Sequence, residues 1–242
     1  MMAAGKMAST LTPRTLLLAA GLLVCLLIAF PVSAHDLSEA NARYVSGLSG
    51  SAPGPFMYLG AKHMVTGLDH VLFLVGVIFF LTRIKDVALY VSLFTLGHSI
   101  TLLTGVLANV SANAHLVDAL IGVSVIYKGF DNLDGFQRVW GFRPDLKLVV
   151  FGFGLVHGFG LATKLQALSP ASEGLVGNII SFNIGVEIGQ FIALAVMVIL
   201  LDTWRRHSSF QRFSNTFNTC LMGAGVALTA AHLLNFFQGG HA

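Results

Sequence analysis

The stretch KHMVTGLDHVLFLVGVIFFL, Lys62 to Leu81, decides how this chain is read. A bilayer span takes about 20 predominantly apolar residues, and this stretch supplies them while also carrying His63, Asp69 and His70. An aspartate at the centre of a membrane helix costs roughly 2.5–3.5 kcal/mol on insertion scales. That cost has to be offset by partners or by a bound cation. The stretch therefore announces a span and a polar site inside it.

Working outward, the chain has 242 residues, 55% of them hydrophobic and 10% charged, against about 25% charged in soluble domains. An all-α integral membrane protein is expected, with the lipid bilayer as its surroundings. The net charge of +3 does not imply a nucleic-acid partner, which needs Lys and Arg clustered on one exposed face. The N-terminus has Lys6 and Arg14, an apolar run from Leu16 to Phe30, then Pro31 and VSA before His35. That is the layout of a cleavable signal peptide. It predicts a signal peptide over 1–34, a short periplasmic segment over 35–55 and a transmembrane domain over 56–242. Cleavage after Ala34 would make His35 the N-terminus, whose amine and ring nitrogen can chelate copper together. Cys25 would leave with the signal and Cys220 lies in the last apolar run, so no disulfide is expected.

Charged and Pro/Gly-rich breaks divide the mature chain into six apolar runs, near 57–81, 86–108, 115–134, 146–168, 174–201 and 217–237. Arg83 and Lys85 fall in the first connection, Arg138, Arg143 and Lys147 in the third, and Arg205, Arg206 and Arg212 in the fifth. NVSANAH and SPASEG, the second and fourth, carry no Lys or Arg. By the positive-inside rule the odd connections are cytoplasmic. Both mature termini are then periplasmic, in a bacterial inner membrane. FTLGH (Phe94 to His98) also resembles FNIGV (Phe182 to Val186), with His70 corresponding to His157. Such a match divides a six-helix bundle into two inverted three-helix repeats, an architecture of transporters with a midplane site.

Four of these runs carry an ionisable group near their midpoints: Asp69 and His70, His98, His157, and Glu187. Pairing for stability alone is a weak motive, since interhelical hydrogen bonds in membranes average about 0.6 kcal/mol. Imidazole with carboxylate suits Ni²⁺, Co²⁺, Zn²⁺ or Cu²⁺, and affinity rises toward copper for any such set. Asp69, His70, His98, His157 and Glu187 are the expected metal ligands, with a divalent ion as substrate. His63 is seven residues from His70, about 10 Å along a regular helix, and is assigned to the ion's path unless Thr66 and Gly67 break the helix. Thr95, Asn183 and Gln190 are expected beside the site, because Asn183, Glu187 and Gln190 share one helix face. Asp118, Lys128, Asp131 and Asp134 lie toward the ends of the third run and are expected at the membrane interface. FGFGLVHGFGLA (Phe151 to Ala162) is no nucleotide loop, because it follows no strand. Its Gly154 and Gly158, like Gly185 and Gly189, have the spacing that lets membrane helices approach closely.

HMVTGLDHVLF, FTLGHSITL, GLVHGFGLA and FNIGVEIGQ, in that order after a signal peptide, resemble the HupE/UreJ family of membrane proteins over roughly residues 55–237. The resemblance implies a six-helix nickel or cobalt permease associated with hydrogenase and urease gene clusters. It maps the family's His-and-Asp motif onto His63, Asp69 and His70, and its other motifs onto His98, His157, and Glu187 with Gln190. The better-studied nickel permeases have Pro or Ala soon after the first His, whereas this chain reads HMVTGLDH. It looks closer to a second branch, whose ion need not be nickel, and the donor set itself leaves copper and zinc beside nickel and cobalt. Two other readings of the residues are an intramembrane metalloenzyme with Glu187 as general base, and an accessory subunit that holds haem or passes metal to a membrane or periplasmic metalloprotein.

Overall fold

A computed structural model describes residues 50–167 and 174–239. The expected signal peptide, His35 and the fourth connection up to Gly174 lie outside them. The described residues form eight helices and no strand. They are α1 (Pro53–Thr66), α2 (Leu68–Ile78), α3 (Ile84–Leu107), α4 (Ala114–Asn132), α5 (Gly135–Trp140), α6 (Leu146–Ala167), α7 (Leu175–Arg205) and α8 (Ser208–Gly239).

Each expected apolar run holds a helix, but the runs are not equivalent. α3, α6, α7 and α8 are long and apolar enough to cross a membrane. α1 and α2 meet the same test only together, as a pair bent by 62° at Gly67. On length and composition the described residues thus supply four spans, or five with the bent pair. α4 fails because its 19 residues include Asp118, Lys128 and Asp131. These charges are engaged inside the bundle. Asp118 and Lys128, expected at the interface, are buried; Lys164 bonds Asp118 at 2.8 Å from α6, and Lys128 bonds Asp131 within α4. Asp134 is exposed and pairs with Arg143.

Three helix pairings dominate: α1 with α7, α3 with α6, and α4 with α8. Glycine makes each possible. A Cβ at Gly185 would strike the Met57 carbonyl, and one at Gly60 the Phe182 carbonyl. In the second pair, a Cβ at Gly154 would strike the Phe94 carbonyl and one at Gly97 that of Phe151. In the third, Gly122 faces Thr229, and Gly129 faces Met222 and the Asn218 carbonyl. In lipid, where apolar burial gives little drive, such backbone approach supplies the packing that associates helices. The outer face of α7 carries exposed Phe191, Ile192, Val196 and Ile199, as lipid contact requires. The chain is a multi-pass membrane protein.

The broken span is anchored at both ends. Asn178 of α7 accepts the Ala52 amide at 2.7 Å and donates to the Gly50 carbonyl at 3.1 Å, fixing the start of α1. At the far end of α2, Arg205 donates to the carbonyls of Ile78 at 2.6 Å and Phe79 at 2.7 Å. Phe79 itself is fully buried and stacks on Phe217, with ring centroids 4.9 Å apart.

If close approach holds the pairs, bulk at these glycines is costly and bulk elsewhere is not. Gly185→Val and Gly154→Val should each destabilise the protein by about 1–3 kcal/mol or more through overpacking, read as a lower unfolding temperature in mild detergent. Gly152→Ala and Gly223→Ala, where an added Cβ meets nothing within 4 Å, should leave it unchanged or slightly raised.

Candidate metal centre

The site begins with the helix break. Gly67 has φ −70° and ψ 98°, a conformation any residue adopts, so glycine is not needed there for its backbone freedom. It is needed for space: a Cβ would lie 2.9 Å from the His63 carbonyl oxygen, 3.0 Å from His70 Nδ1 and 3.2 Å from Asp69 Oδ1. The turn keeps its hydrogen bonds, since Gly67 N–H donates to the His63 carbonyl at 2.8 Å and Val71 N–H to the Gly67 carbonyl at 3.0 Å. The bend changes the expected geometry of the opening stretch. His63 and His70, about 10 Å apart in a regular helix, have ring centroids 5.1 Å apart in T-shaped contact.

Asp69 sits in the first turn of α2, where the positive end of the helix dipole favours a carboxylate. It is 3% exposed, and its Oδ1 is 2.9 Å from Nδ1 of His70. Nδ1–H donating to the carboxylate leaves the lone pair on Nε2 of His70. The His70 ring then meets His157 of α6 at 4.7 Å and His98 of α3 at 6.2 Å. Ser124 Oγ donates to the Ile121 carbonyl at 2.6 Å and lies 3.2 Å from His157 Nε2. Having given its one proton to Ile121, Ser124 accepts from His157 Nε2–H, so the lone pair of His157 is on Nδ1. His98 is 1% exposed and stacks on Phe94, yet neither of its ring nitrogens has a hydrogen-bond partner among the described residues. Leaving a buried polar group unsatisfied costs about 1–3 kcal/mol.

The structure thus gathers Asp69, His70, His98 and His157, and adds His63 to them. Their nitrogens do not converge: among the described residues no group of three or more His, Cys, Asp or Glu side chains is arranged to hold an ion. The rings meet edge to face instead. Glu187 stands apart from this cluster. It lines a cavity of about 410 Å³ between α3 and α7 with Thr95, Ser99, Asn183 and Gln190, and no histidine lines that cavity. Ser124 was missed in the sequence because a lone hydroxyl in an apolar run carries no signal of its partner. The set of buried Asp118 and His232 with half-buried Lys164, His232 Nδ1 lying 3.7 Å from Asp118, joins positions too far apart in sequence to be paired by spacing.

The family model described as HupE / UreJ protein matches residues 39–239. The chain belongs to this family. HupE/UreJ proteins are associated with nickel or cobalt transport or maturation, and the family is of the transporter type. No curated protein and no solved structure matches the chain significantly. The four HupE/UreJ-like segments fall on the bent α1–α2 pair, α3, α6 and α7.

His98 separates a site from a strut. If its imidazole serves the fold, His98→Leu should destabilise the protein; if it serves a ligand, the variant removes an unsatisfied buried group. The expected outcome is an unfolding temperature equal to or a few degrees above the wild type, with loss of transition-metal binding measured on the same sample.

Proposed function

We propose that the chain is a six-span inner-membrane permease for a divalent transition-metal ion, nickel or cobalt in preference, with copper and zinc as competitors. The observation that carries this reading is the meeting of four imidazoles from α1, α2, α3 and α6 beside one buried carboxylate. Imidazole nitrogen is a strong donor for this class of ion. His70 Nε2, His157 Nδ1 and a nitrogen of His98 are the ligands, and His63 is close enough to join them. Rotation of the rings out of their edge-to-face contacts brings the lone pairs onto the ion. Asp69 and the N-terminus of α2 have opposite roles: the carboxylate balances the cation, and the helix end steadies the carboxylate when the ion has left. A carrier has to release its cargo, and a cluster whose nitrogens are turned aside at rest suits release.

In this reading α4 is the sixth span, its charges neutralised within the bundle, and the basic connections face the cytoplasm with both mature termini periplasmic. The chain consists of two inverted halves, and the glycine contacts support their register. Gly60 to Gly154 and Met57 to Phe151 are both 94 positions; Phe94 to Phe182 and Gly97 to Gly185 are both 88. One pair of offsets therefore carries the contacts of α1 with α7 onto those of α6 with α3. The same register matches His63 with His157, rather than His70 with His157. Two related pairs rocking about a site between them is alternating access of the inverted-repeat kind.

Uptake of a radioactive divalent ion into membrane vesicles tests this. His70→Ala and His157→Ala should each lower uptake at least tenfold at equal protein level. Binding should also weaken as the buffer is acidified, because protons and metal compete for the same lone pairs. Uptake indifferent to both substitutions would overturn the reading.

A further inference from the structure

The polar cavity between α3 and α7 holds chemistry that the imidazole cluster does not use. Its polar lining is Ser92, Thr95, Ser99, Asn183, Glu187 and Gln190, and no Lys, Arg or His borders it. Asn183 Nδ2 donates to Ser99 Oγ at 2.8 Å, tying the two helices across the cavity. Gln190 is 2% exposed; its Nε2 donates to the Val91 carbonyl at 3.4 Å, while its Oε1 is buried and has no partner among the described residues. Glu187 is half-buried and forms no ion pair or hydrogen bond among the described residues. An amide oxygen and a carboxylate, one turn apart on α7, therefore lack donors at the edge of an apolar bundle. A carboxylate without a countercharge in such a place is costly.

The geometry points to a second site, made of oxygen only, that takes a partly hydrated alkali cation such as Na⁺. Oxygen donors without imidazole or thiolate select hard cations over nickel or cobalt. One carboxylate neutralises one positive charge, which favours a monovalent over a divalent ion. Water occupies about 30 Å³ per molecule in the liquid, so a cavity of about 410 Å³ has room for the ion with much of its shell. The placing also has a logic within the proposed halves. Thr95 to Asn183 and Ser99 to Glu187 are both 88 positions, so the cavity is lined by matched positions of two equivalent helices. α3 and α7 also touch each other far less than either touches its own partner. A cation there would bridge the two close-packed pairs, α1 with α7 and α3 with α6. Glu187, expected among the transition-metal ligands, belongs on this account to the alkali-ion site. The inference rests on the transport reading for its role in the cycle, and not for its chemistry.

The test is thermal unfolding of the purified full chain in detergent, in choline chloride against NaCl and KCl at equal ionic strength. Na⁺ or K⁺ should raise the unfolding temperature saturably over choline. Glu187→Gln should weaken the apparent affinity at least tenfold, and Asn183→Leu should do the same if the first variant folds poorly. His70→Ala should keep the alkali response. No alkali response, a response unchanged in both cavity variants, or one lost equally in His70→Ala would overturn the proposal. A failure of the transport reading shows up elsewhere, as transition-metal uptake indifferent to His70 and His157.

Discussion

The bundle depends on how closely its helices approach where glycine replaces a side chain. Between α1 and α7, and again between α3 and α6, a backbone carbonyl of one helix occupies the place a Cβ would take on the other. This fixes the helices at backbone contact and leaves no freedom in their register. The consequence for the site is direct. Gly154 and Gly158 flank His157, and Gly158 abuts the His98 carbonyl, so the closeness that holds α3 to α6 also sets two imidazoles beside His70. Stability and function are drawn from the same contacts.

The sequence carried the helices and most of the cluster. Six apolar runs became helices near their expected places, and Asp69, His70, His98 and His157 could be singled out because ionisable residues inside apolar runs are conspicuous. What periodicity could not carry was the geometry of the break. A seven-residue spacing reads as two turns of one helix, and only the bend at Gly67 turns His63 back toward His70. Gly67 and Thr66 hinted that a break was allowed, but no local pattern told that the chain takes it. The crowding of Gly67 by Asp69 and His70 is tertiary in origin.

The charges of α4 and the position of Glu187 show a second kind of illegibility. Asp118 and Lys128 read as interface residues because they stand near the ends of a run, yet their burial is decided by Lys164 on α6, His232 on α8 and the local Asp131. Glu187 shares a depth with the histidines in any linear count. Depth is only one coordinate, and which side of α7 faces which neighbour depends on the glycine contacts with α1. Those contacts turn Gly185 and Gly189 toward α1 and leave Asn183 and Glu187 facing α3.

The grip of Arg205 on the last carbonyls of α2 has a mechanical meaning. α7 is a single helix of 31 residues, roughly 46 Å long at 1.5 Å per residue, bound near its start to the head of α1 through Asn178 and at its end to the tail of α2 through Arg205. It therefore works as a splint across the broken span, packed along α1 through Met57, Ala61 and Met64 and gripping α2 at its far end. A tilt of α7 would carry α1 along its whole contact and α2 at its far end, so any difference between the two fragments would be taken up in the angle between them. The elbow that carries Asp69 and His70 thus lies where two fragments, held differently by one long neighbour, meet.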